Sequence, residues 1–162
     1  MTNRRNFLKT TGLASAALSL GLPQFNFAGQ KADPFKISLA EWSVNRLIFG
    51  KKLDHLDFAL EAKKHGINAV EYVNQFFMDK AQDMAYLKEM NTRCQNEGIT
   101  QVLIMVDREG MLGARSDADR MQAVENHKKW IEAAKFLGCH TVRVNGYSDI
   151  AWSQNPADAA EA

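Results

Sequence analysis

The sequence predicts an α/β protein built on a parallel sheet, and three observations carry that prediction. A unit of helix, glycine and strand recurs as KHGINAVEYV, NEGITQVLIMV and FLGCHTVRVNG. The apolar period changes from helical to strand-like at Gly66, Gly98 and Gly138, each at the position where a left-handed residue closes a helix. The helices between strands run to ten or more residues, which suits parallel strands joined by right-handed crossovers.

Taken in order, Ile37 to Trp42 (ISLAEW) reads as a first strand. Residues 53 to 65 follow as a helix, with Leu53, Leu56, Ala59 and Leu60 at helical spacing and Asp54 and Asp57 in its first turn. Ile67 to Val73 is the second strand. Residues 79 to 97 form the next helix, with Met84, Leu87, Met90 and Cys94 on one side. Ile99 to Val106 (ITQVLIMV) is the most strongly β stretch of the chain. A third helix starts at the cap Ser116 and ends at Leu137, with Met121, Val124, Ile131 and Ala134 as its buried stripe. Cys139 to Asn145 (CHTVRVN) is the fourth strand. Ser153-Gln154-Asn155-Pro156 opens one more helix.

Two architectures accommodate these units, a doubly wound sheet and an eight-fold barrel. The segment after the first strand, EWSVNRLIFGKK, contains no GxGxxG phosphate loop. About four βα units amount to half of a (β/α)8 TIM barrel, which typically takes ~250 residues. The expectation is therefore a truncated barrel over residues 33–162, ending as its fourth helix begins.

Residues 1–32 read separately. Arg4 and Arg5, followed by Phe7-Leu8-Lys9 and the mildly apolar Gly12 to Leu22, resemble a twin-arginine export signal. The apolar stretch is too short and too rich in Gly, Ala and Ser for a stable membrane span. Ala28 and Ala32 are the candidate ends. Such a signal implies a bacterial protein exported folded, to the periplasm or beyond. Cys94 and Cys139 form no CxxC or CxxH pattern, so neither a disulfide framework nor a zinc cluster is indicated, and both read as buried thiols. The composition, 46% hydrophobic and 24% charged, is that of a globular domain. A formal net charge of +1 without a basic run argues against nucleic acid as a partner.

In parallel α/β folds chemistry sits at the C-terminal ends of the strands. Strand parity turns Val70, Tyr72, Val142 and Val144 toward the helices. It leaves Glu71, Arg143 and Asn145 pointing inward, with Ser38, Ala40 and Trp42 from the first strand. Glu71 and Arg143 either brace the barrel as a buried ion pair or line a polar site. Trp42 walls a substrate pocket or packs in the core. Asp107, at the end of the third strand before Arg108 and Glu109, binds a sugar hydroxyl or metal, or is a solvated loop charge. His55 and His127 read as helical, His65 as a helix C-terminus and His140 as the N-terminal end of a strand. None has ligand spacing, and no GxSxG elbow or P-loop is present.

Together, ISLAEWSVN, KKHGINAVEYVNQFF and FLGCHTVRVNGYSD resemble the first half of the xylose isomerase-like TIM barrels, the sugar phosphate isomerase and epimerase family. The resemblance covers about residues 36 to 149, and its most specific element is Gly66 to Glu71, which places the family's second-strand glutamate on Glu71. It implies a proton shift or epimerisation next to a carbonyl, assisted by a divalent metal such as manganese, magnesium, zinc or cobalt. It also implies that the metal ligands and catalytic carboxylates come from strands beyond residue 162, so this chain holds no complete metal site and no catalytic residue. What remains is a substrate wall of Trp42, Glu71, Asp107, Arg143 and Asn145, for a sugar or sugar-like molecule. Two other readings compete. One is a non-catalytic carbohydrate-binding or assembly half barrel, which could self-associate through its open edge. The other is the DNA-repair endonuclease branch of the same superfamily, against which the export signal and charge speak.

Overall fold

A computed structural model describes residues 35–149. Arg4, Arg5 and the helix start at Ser153 lie outside those residues. The sheet and its helices belong to the unit that begins at Ile37.

Four strands form one sheet: β1 (Leu39–Ala40), β2 (Ala69–Val73), β3 (Thr100–Val106) and β4 (Thr141–Val144). Their spatial order is their sequence order, and every neighbouring pair is parallel. A doubly wound sheet reverses its strand order at a switch point. Among the described residues no reversal occurs, so these units are wound in one direction, as in a barrel wall.

The helices are α1 (Asn45–Phe49), α2 (Phe58–Lys64), α3 (Met84–Glu97) and α4 (Asp117–Leu137). Gly66, Gly98 and Gly138 have φ of 72°, 65° and 76°. Each closes its helix with the same two bonds, the glycine N–H reaching back three residues and the next N–H five. At α3 these are Gly98 to Gln95 and Ile99 to Cys94; at α4 they are Gly138 to Lys135 and Cys139 to Ala134. The chain is thereby turned from helix axis to strand in three residues. Asp83 caps α3 by accepting from Tyr86 N–H at 3.0 Å, and Ser116 caps α4 as expected.

The core lies between sheet and helices. Val70, Tyr72, Ile104 and Val106 meet Phe58 and Ala62 of α2, Leu87, Met90 and Cys94 of α3, and Trp130, Ala133 and Leu137 of α4. Four sequence expectations change here. The first strand pairs over two residues only, because Glu41–Val44 curls into a 3-10 turn, and Ile37 is exposed. In α2 Phe58 and Ala62 point inward while Leu60 is exposed, and in α3 Met84 is exposed. In α4 Met121, Val124 and Ile131 face outward, and Ala123, Trp130, Ala133 and Leu137 face the sheet. The α4 sequence carries two apolar stripes. The one that offers a large indole among small alanines lets the helix lie close to the strands, and that one is buried.

Register also departs from simple alternation. Val70 pairs with Gln101 but Glu71 pairs with Leu103, so Val102 is the extra residue of a bulge. The bulge turns Gln101 to the helix side. There its amide donates to Leu137 C=O at 2.8 Å and Asn91 Oδ1 at 2.6 Å, while its oxygen accepts from Tyr72 Oη–H at 3.0 Å. One side chain thus joins β2, β3, α3 and α4. Replacing Gln101 with the similar-sized Leu removes the partner of the Leu137 carbonyl and of Asn91 Oδ1 and leaves the Tyr72 hydroxyl only the Cys94 sulfur, and unfolding in urea is expected to show a loss of about 2–3 kcal/mol.

Candidate functional site

At the C-terminal ends of the strands a cavity of about 310 Å³ opens on the inner face of the sheet. All five residues expected there, Trp42, Glu71, Asp107, Arg143 and Asn145, line it. A larger groove of about 860 Å³ runs between α3 and α4, beside Met84, Lys128 and Phe136. It lies on the outer helical surface, remote from the strand ends where polar side chains converge, so the smaller cavity is the candidate site.

Trp42 stands in the turn after β1 and is 45% exposed, so it is not a core tryptophan. Its ring meets Phe49 edge-on at 6.3 Å and Phe76 at 6.0 Å, and the two phenylalanines lie 5.0 Å apart. Trp42 lines the cavity, and the two phenylalanines pack against its ring.

Glu71 projects from the inner face of β2, where its Oε1 accepts from the Ser38 hydroxyl. Arg143 is exposed on β4 and donates to the sulfur of Met105. The ion pair between Glu71 and Arg143, one of the two sequence readings, does not form. Both charges keep access to water, so neither needs the other for compensation.

Asp107 is 9% exposed, which rules out the solvated loop charge. One carboxylate oxygen accepts from Gln75 Nε2 at 2.8 Å and the other from Asn145 Nδ2. Its backbone is held as firmly. Asp107 N–H donates to Asn74 Oδ1, and Asp107 C=O accepts from Asn74 Nδ2, each at 2.9 Å. Asn74 is fully buried and takes the place of a ladder pairing where β2 and β3 end. Asn74 and Gln75 were missed by the sequence reading. Their signal is a polar pair directly after a strand, in YVNQFF. Glu109, in the loop after β3, is buried under the Trp130 indole N–H at 2.6 Å and Lys129 Nζ at 2.9 Å.

A second polar cluster lies on the helix side of the sheet. Glu41 is fully buried, its Oε2 accepting from Val73 N–H at 2.8 Å and its Oε1 lying 3.2 Å from His55 Nε2. His55 Nδ1 lies 2.7 Å from the Tyr86 hydroxyl, and its ring stacks on Phe77 at 4.6 Å. Burial pushes the Glu41 carboxyl well above the usual carboxylate range, opposed by the Val73 bond. Burial also pushes His55 down to about 4, against the pull of Asp54, and Tyr86 up to about 12. His55, read as an ordinary helical residue, is instead buried in a 3-10 turn. His127 bonds to Ala123 C=O inside α4, and His65 and His140 stay at the surface.

Cys94 and Cys139 are free, and burial raises both thiols, Cys139 to about 12. Both remain protonated near neutrality, as small apolar side chains do. Among the described residues no three His, Cys, Asp or Glu side chains converge as a metal would require, and no helix is long and apolar enough to cross a membrane.

The comparison with known proteins agrees with this geometry. No curated protein matches the chain. Residues 1–21 match the twin-arginine translocation pathway signal sequence, which directs export by that route. Residues 59–162 match the model of the xylose isomerase-like TIM barrel. With its strands in sequential parallel order and its polar residues gathered at their C-terminal ends, the chain belongs to the xylose isomerase-like TIM barrel family.

Proposed function

We propose that the chain forms the substrate-binding wall of an exported sugar isomerase or epimerase, one that moves a proton next to a carbonyl with the help of a divalent metal. The observation that carries the reading is the convergence of Trp42, Glu71, Asp107, Arg143 and Asn145 on one cavity. A sugar presents hydroxyls around its edge and C–H groups on its faces. Glu71 and Asp107 accept from hydroxyls, Arg143 and Asn145 donate to oxygens, and the Trp42 face covers C–H groups.

Hydrogen bonds prepare these groups. Ser38 orients Glu71, while Gln75 and Asn145 orient Asp107. All three partners are neutral donors, and each carboxyl group retains lone pairs for a ligand. The described residues do not assemble a set of metal ligands, and the sugar contacts named above are made by side chains alone. A cavity with two carboxylates and one exposed arginine repels a phosphodiester backbone, so nucleic acid is not proposed as the substrate.

Calorimetric titration of the full chain with D-xylose tests the reading. Glu71→Gln is expected to weaken binding about 10-fold or more by removing a charged acceptor, and Trp42→Ala about 5-fold, with circular dichroism unchanged in both. Equal affinity in all three chains would overturn it. Export is separable from the site. Changing Arg4→Lys together with Arg5→Lys keeps the charge but removes the arginine pair, and cell fractionation is expected to find the protein retained in the cytoplasm.

A further inference from the structure

Behind the sheet, Glu41 Oε1 and His55 Nε2 face each other at 3.2 Å, and neither atom has another polar partner. The other polar atoms of both side chains are committed, to Val73 N–H and to the Tyr86 hydroxyl. The surroundings are aromatic: Phe77 stacks on the imidazole and Tyr72 lies 6.0 Å from it. With no proton between them the two side chains carry a buried charge of −1, and with two protons +1. One proton leaves the site neutral with both facing atoms bonded, and burial disfavours either net charge.

The charges around the site do not outweigh its burial. Tyr72 of β2 and Tyr86 of α3 face it and stay protonated, because burial raises both phenols. Asp54, at the head of the turn carrying His55, acts on the imidazole against its burial, and Lys80 lies beyond Tyr86, over its ring. Glu41 also sits between two parts of the cavity wall. It directly precedes Trp42, and its carboxyl holds the N–H of Val73, which itself lines the cavity.

We propose that Glu41 and His55 share a single proton, and that Glu41 in this neutral state is a positioning residue that ties the Trp42 turn to the end of β2. The first half stands without any ligand. The second half rests on the reading of Trp42 as a wall of the binding site.

Proton counting gives the consequences. The ordinary values of the two groups are 4.5 for Glu41 and 6.5 for His55. Between them the unfolded chain also holds one proton on the two groups, so their contribution to stability does not vary with pH. Below 4.5 the unfolded chain holds two protons and stability falls with falling pH. Above 6.5 it holds none while the folded chain holds one, and stability falls as pH rises.

Denaturation of the full chain across pH 4.5 to 8 tests the shared proton. Glu41→Gln keeps an acceptor for Val73 N–H and a donor for His55, but binds no proton. Its folding constant relative to the parent is expected to rise tenfold per pH unit above 4.5. If this variant does not fold, His55→Gln is expected to lose tenfold per unit between 4.5 and 6.5 and then run parallel to the parent. A ratio independent of pH would overturn the shared proton. The positioning role is read by ¹⁹F NMR of chains labelled with 5-fluorotryptophan, the Trp42 signal being assigned with Trp42→Phe. That signal is expected to keep its place in Glu41→Gln and to shift in Glu41→Ala, or in Glu41→Asp if the alanine variant does not fold. An unmoved signal in the truncated variants would overturn the role. Neither readout involves a sugar, so failure of sugar binding is distinguishable from failure of this proposal.

Discussion

A parallel strand must be carried back to its starting end before its neighbour can begin, and here each return is made by a helix closed with a left-handed glycine. At φ near 70° a residue with a Cβ is strained. Glycine allows the chain to leave the helix axis at once and enter the sheet at the right end. Repeating the step keeps the strands in sequential order and their helices on one side. It also makes the two faces of the sheet unequal. One is apolar against helices, and the other is free to carry charge.

The charges use that freedom at the strand ends. Glu71, Asp107 and Asn145 leave three different strands or strand ends and reach one cavity. Their hydrogen bonds cross between units: Ser38 to Glu71 links the residue before β1 to β2, and Asn145 to Asp107 links the ends of β4 and β3. Asn74 completes the set by pairing with both backbone groups of Asp107. The contacts that shape the site therefore also hold the strand ends in register, where ladder pairing has stopped.

Glu71 and Glu41 illustrate two solutions to a carboxyl in a sheet. Glu71, on the inner face, keeps its water and takes one hydroxyl donor. Glu41, on the helix face, has no water and is driven toward its neutral form beside His55. The difference is one of dielectric surroundings rather than residue type.

Much of this was legible in the residues alone. The three glycines, the long β run of ITQVLIMV and the parity of GINAVEYV determined the α/β class, the crossovers and the inward direction of Glu71. They do so because helix closure and strand alternation are local properties of the backbone. The five cavity residues followed from strand ends for the same reason. Tertiary structure decided what depends on neighbours far along the chain. The buried stripe of α4 was set by which side chains let two layers approach, and the bulge at Val102 by the register against β2. The burial of Glu41, His55 and Asp107 was set by partners some 14 to 38 positions away. Burial and pairing are sums over the whole packed surface, and no local pattern carries them.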